Sequence, residues 1–202
     1  MRRRALAAAA AIAFFSAAPA EAHLVTTGLG PAYDGVAHFL ESPDDWAAAV
    51  AMALLAGQRG TAASRRALFS LPVAWFAGGL AGIFRLHPVA PPSAAAAVSL
   101  LVTGTLVAAG PRLGAGAVTA LAALLGFVHG TMNGHFLAAA RGPVAEIAGI
   151  AATVFVAVAL AAALVVAAAR AFPWTRVAVR VAGSWIAAIG LLLLGWQLRA
   201  PG

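Results

Sequence analysis

Two short stretches of this chain set imidazoles and carboxylates at spacings that suit a metal cation. The first reads Asp34-Gly-Val-Ala-His38-Phe-Leu-Glu41-Ser-Pro-Asp44-Asp45. On a helix, His38, Glu41 and Asp45 fall at i, i+3 and i+7, one face, which brings an imidazole and two carboxylates toward one ion. A kink at Pro43 would still leave these groups close. The second stretch reads Gly126-Phe-Val-His129-Gly-Thr-Met132-Asn133-Gly-His135. His129 and Asn133 are four apart and share a face, with Met132 beside it. His135 points elsewhere on an unbroken helix. Gly130 and Gly134 form a small-residue face for close helix contact. Glu146 stands ready to add a carboxylate or to hold a histidine from behind. Imidazole, carboxylate and amide oxygen together suit Ni, Co, Zn or Cu(II). The chain has no Cys, so thiolate sites and disulfides are excluded and Cu(I) fits less well.

Each residue also has an ordinary reading. A lone histidine in a membrane helix is more often a helix-to-helix hydrogen bond than a ligand. Asp44 and Asp45 suit a helix start, where the dipole favours negative charge. Met132 suits packing. Trp46, Trp75, Trp174 and Trp196 read as interface anchors or lipid-facing bulk. The metal reading rests on the group.

The elements that must carry these residues are membrane helices. Of 202 residues, 63% are hydrophobic and 9% charged, against about a quarter charged in a soluble domain. The apolar residues come in long runs, and roughly 20 in a row cross a bilayer core. Arg2, Arg3 and Arg4, an apolar stretch over 5–18 and Ala20-Glu21-Ala22 resemble a signal peptide over 1–22 with a small-x-small cleavage site. An uncleaved anchor is the alternative. Cleavage after Ala22 would make His23 the first residue, whose free amine and imidazole together could chelate Cu(II) or Ni(II); otherwise His23 is a polar residue after the cut. One transmembrane domain over 23–202 follows, with spans near 44–58, 66–84, 92–109, 113–136, 144–169 and 178–198. Gly57 to Gly60, His87-Pro88, Gly110-Pro111, Gly142-Pro143 and Pro173 separate them. Residues 31–43 read as a helical lead-in to the first span. The expected fold is thus an all-α polytopic bundle of about six transmembrane helices in a lipid bilayer.

A cleaved signal puts the N-terminus outside the cytoplasm, which for a bacterial inner membrane is the periplasmic side. All positive side chains are Arg, and the formal charge is +7. Loops expected inside hold Arg59, Arg65, Arg66, Arg112, Arg170, Arg176 and Arg180; those outside hold Arg85, Arg141 and Arg199. This agrees with the positive-inside rule, so the basic charge reads as topology and not as nucleic-acid binding. On this map every mature carboxylate and every histidine, His87 included, lies in the outer half.

The two polar stretches resemble motifs of the HupE/UreJ family. In the family's His-Pro-x-x-Gly-x-Asp-His pattern, His38 and Asp44 match and Asp45 stands in place of the second histidine. In the family's later His-Gly-x-x-His-Gly-x-Glu pattern, His129, Gly130 and Gly134 match, Asn133 replaces a histidine, Phe136 replaces the glutamate and His135 is extra. The resemblance implies a small bacterial membrane protein, encoded with nickel enzymes, acting as a nickel or cobalt permease or uptake component, with metalloenzyme-maturation proteins as partners. The expected ligands are His38, Asp44, Asp45, His129, Asn133 and His135, with His23, Asp34, Glu41 and Glu146 secondary. The inner halves offer Thr103, Thr105, Thr119 and Thr153 but no acid or histidine. That favours the alternative, a periplasm-facing metal-binding or assembly protein that does not transport. An enzyme is not expected, since the chain has neither a His-Glu-x-x-His helix nor a Gly-x-Ser-x-Gly turn.

Overall fold

Prolines start four of the seven described helices. Pro31, Pro43, Pro92 and Pro143 each stand at the beginning of a helix, where the missing N–H would be unpaired anyway. A computed structural model describes residues 26–85 and 92–199. These residues form α1 (Pro31–Glu41), α2 (Pro43–Gln58), α3 (Thr61–Ile83), α4 (Pro92–Ala109), α5 (Ala115–Leu137), α6 (Pro143–Ala171) and α7 (Thr175–Arg199). The proposed signal peptide, its cleavage site, His23 and His87 lie outside the described residues.

The architecture is all-helical. Helices α3, α5, α6 and α7 are long and apolar enough to cross a membrane, which makes this a multi-pass membrane protein. Helices α2 and α4 are shorter, at 16 and 18 residues. Apolar residues such as Leu160, Leu164, Leu192 and Trp196 point outward, as the surface of a bundle in lipid requires.

Glycine faces decide which helices touch. Without a hydrophobic drive between helices in lipid, contact is won by backbones that approach closely. Gly126, Gly130 and Gly134 of α5 lie on the carbonyls of Leu71, Trp75 and Gly79 of α3, while Gly78 and Gly82 of α3 lie on the carbonyls of Phe127 and Thr131. Both numberings rise together, so α3 and α5 run parallel. Gly104, Gly183 and Gly190 join α4 and α7 antiparallel, and Gly35 and Gly149 join α1 to α6.

Helix α2 threads between these pairs and contacts α3, α4, α5, α6 and α7. Ala48, Ala49, Ala51, Met52, Ala53, Leu55 and Ala56 are all fully buried, so most of it is jacketed by protein, leaving one strip through Trp46, Val50 and Leu54 exposed or partly buried. The lead-in over 31–43 does not extend this helix as expected. The chain breaks at Ser42, which is extended (φ −99°, ψ 93°). Its hydroxyl donates to the carbonyl of His38 at 2.7 Å and its own carbonyl accepts from the N–H of Trp46 at 3.0 Å. Pro43 cannot donate to the preceding turn, so α1 ends and α2 begins there.

Alternating helix directions sort the charges. The starts of α2 and α6 and the end of α5 share one end of the bundle with Asp34, His38, Glu41, Asp44, Asp45, His129, His135 and Glu146. The other end holds Arg59, Arg65, Arg66, Arg112, Arg170, Arg176 and Arg180.

Candidate metal site

The first turn of α2 and the last turns of α5 meet inside the acid end of the bundle. Asp45 is buried there as the second acid after Pro43, and His129 reaches it from α5. The His129 ring is fully buried, with Nδ1 at 2.7 Å from Asp45 Oδ1. Asn133, one turn further along α5, donates from Nδ2 to Asp45 Oδ2 at 2.7 Å. The i, i+4 spacing of His129 and Asn133 therefore does its work on one carboxylate, each residue taking one oxygen. Trp75 of α3 donates from Nε1 to Asn133 Oδ1 at 2.7 Å and lies against the His129 ring, with centroids 5.2 Å apart. From α4, the Ser99 hydroxyl sits 2.8 Å from His129 Nε2 and 2.8 Å from the carbonyl of Ala96.

Each buried polar atom in this network has a partner, as a low-dielectric interior demands. Asp44, beside Asp45, is half-buried. Asp44, Asp45 and His129 can each offer one ligand atom within 4.8 Å of the other two. Donors around a single cation with bonds of about 2.0–2.2 Å lie no more than about 4.4 Å apart, so the group needs only a small contraction to close on one ion.

The other expected ligands go elsewhere. The break at Ser42 overturns the single face of His38, Glu41 and Asp45. His38 instead stacks on Phe136 of α5, with centroids 5.2 Å apart and planes 23° from parallel. Burial pushes its imidazole below the ordinary range, against the pull of Asp45, Asp44 and Glu41. Glu41 is exposed at the end of α1. Asp34 accepts from the N–H and hydroxyl of Thr27 at 2.6 and 2.7 Å, bonds that hold its carboxyl below the usual range. Glu146 is buried near the start of α6, apart from the three-residue group. His135 turns away from His129 on the unbroken helix, and its Nδ1 is buried without a hydrogen-bond partner.

Two members of the network were not read from the sequence. Trp75 is fully buried, not an interface anchor. Its position mid-span was the available signal, since belt tryptophans sit at span ends. Ser99 is one hydroxyl in an alanine-rich run, and nothing in its spacing marks it.

The HupE / UreJ protein family model matches residues 10–193. The chain belongs to this family. No curated protein and no solved structure matches it. Set on the structure, three departures from the HupE/UreJ pattern lie where its two motifs meet. Asp45 and Asn133, each standing where the family pattern has a histidine, hydrogen-bond to one another. Phe136, standing where the pattern has a glutamate, stacks on His38. The two motifs thus form one interface between α1–α2 and α5.

Proposed function

We propose that this protein is an uptake component for a divalent transition metal, nickel or cobalt first, which captures the ion at Asp44, Asp45 and His129. The observation that carries the reading is the buried group of two carboxylates and one imidazole within reach of a single ion. Membership of a family associated with nickel and cobalt uptake supports it, and speaks for a transporter over an enzyme. Two carboxylates beside one imidazole make a site rich in oxygen, so zinc and Cu(II) remain substrates to test. In this reading the acid end faces the periplasm, and the half-buried Asp44 meets the ion first.

Ser99 lets His129 change its role without breaking the network. With Nδ1–H given to Asp45, Nε2 accepts from the Ser99 hydroxyl. When the ion takes the Nδ1 lone pair, the proton moves to Nε2, which donates to Ser99 Oγ, and the hydroxyl turns to the Ala96 carbonyl. The imidazole is then a neutral ligand held by an outer hydrogen bond.

The expected result in proteoliposomes is accumulation of Ni or Co that is abolished by His129→Ala. Ser99→Ala should lower metal affinity about tenfold or more and cost about 1–3 kcal/mol of stability for the stranded Nε2, with the protein still folded. Unaltered affinity in both variants would remove the site. A second reading, a metal-binding or assembly protein that does not transport, is favoured by the largely buried, wholly apolar run of α2 beneath Asp45, from Ala48 to Ala56. Binding without accumulation in the same vesicles would select it.

A further inference from the structure

The opposite end of the bundle holds a second polar feature, made of cations alone. A cavity of about 450 Å³ opens there between the end of α2, the α4–α5 turn, the last turns of α6 and the start of α7. Arg59, Arg112, Arg176 and Arg180 line it, with Gln58 and Thr175, and no carboxylate does among the described residues. Positive-inside topology needs arginines in solvated loops, and Arg65, Arg66 and Arg170 meet that need without facing this cavity. The four lining it come from three separate segments and converge.

Three observations make the cavity suited to an anion. Arg59 Nε is buried without a hydrogen-bond partner, a donor whose desolvation is uncompensated within the chain. Two backbone acceptors at the end of α4 are taken: Gln58 Nε2 donates to the carbonyl of Val107 at 3.0 Å and Arg180 Nε to that of Ala108 at 2.6 Å. Finally, α7 begins here, and the positive end of its dipole offsets part of the negative field from the ends of α2 and α6 at the same cavity. Planar guanidinium forks match the oxygens of a phosphate group.

We infer that this cavity binds a phosphate-bearing anion, either the headgroup of an anionic phospholipid or a soluble phosphate compound. Basic pockets between membrane helices serve such headgroups, and the volume admits a group larger than one phosphate. The ligand ties α2 to α4 and α7 across the end remote from Asp45.

The test uses the full chain in nanodiscs. In the lipid arm, discs contain phosphatidylglycerol or only phosphatidylcholine, and native mass spectrometry counts retained anionic lipid. In the soluble arm, phosphatidylcholine discs are titrated with inorganic pyrophosphate, read by thermal shift. Binding in either arm is expected to fall about tenfold or more in Arg112→Ala/Arg176→Ala, and the arm that shows it names the source. Arg65→Ala/Arg66→Ala makes the same change in charge away from the cavity and should bind as the unaltered protein does. Arg59→Lys, which keeps the charge and loses the fork, should weaken binding while melting normally in phosphatidylcholine alone. No binding in either arm overturns the inference, as does equal loss in the Arg65/Arg66 control. Metal capture at Asp45 is measured separately and does not enter either outcome.

Discussion

Replacing Asp45 with asparagine is expected to lower metal affinity by about a hundredfold or more, the upper end of what loss of even an outer ligand partner costs, while the bundle stays folded. The two oxygens of Asp45 each accept one hydrogen bond, from His129 and from Asn133. An amide in the same place keeps the shape. Its oxygen accepts from Asn133, and its NH₂ faces His129 Nδ1, which becomes an acceptor with its proton on the Ser99 side. That arrangement satisfies the interior and spends the lone pair an ion would need. It also removes a charge that draws the cation. Asp45→Ala differs in kind, because it strands the His129 and Asn133 donors in a buried site, at a cost of about 1–3 kcal/mol for each unsatisfied group. Isothermal titration with Ni and Co, beside unfolding in detergent, separates the two. Native affinity in Asp45→Asn would show that the ion binds elsewhere.

Gly130→Ala is expected to destabilise the protein by about 3 kcal/mol or more, a large cost for one methyl group, since overpacking usually costs about 1–3 kcal/mol. The new Cβ would fall on the Trp75 carbonyl of α3. Backbone lies on both sides of that contact, so no rotamer can relieve it and the helices must part. The parting also moves Trp75 and His129, which are neighbours of this contact, so metal binding should weaken along with stability. Gly116 lies on the same helix with open space around it. Gly116→Ala should leave stability unchanged or raise it by up to about 1 kcal/mol through helix propensity. A matched pair of unfolding titrations decides this, and equal effects at the two glycines would refute close packing of α3 on α5.

The helices were legible because runs of apolar residues end at Gly and Pro, and those signals are local. Their partners were legible only where glycine recurs at fourfold spacing, as at Gly130 and Gly134. The break at Ser42 was not. Ser42-Pro43 reads equally as a kink within one helix or as the cap between two, and the choice depends on whether α1 finds a surface to lie on, which Gly35 and Gly149 supply from far apart in the chain. His38 was misplaced for that reason. Within the cluster, Asp45, His129 and Asn133 stood out because polar groups are costly in a membrane. Ser99 and Trp75 did not, since both are ordinary in such helices until a neighbour reveals what they touch. The fold class and the meeting of the two motifs could be read in the sequence; the division of labour within them required the structure.

The jacketed helix α2 has an electrical consequence. From Asp44 at its start to Arg59 at its end is about 22 Å at 1.5 Å per residue, less than the roughly 30 Å of a bilayer core. The arginine-lined cavity opens the Arg59 end of the helix, and Asp44 stands at the other. The apolar stretch between them is thus shorter than the membrane, and a voltage falling over that stretch alone would be steeper by a factor of about 1.4 on those lengths. In the uptake reading proposed above, a divalent ion crossing the full drop would gain about 4.6 kcal/mol per 100 mV.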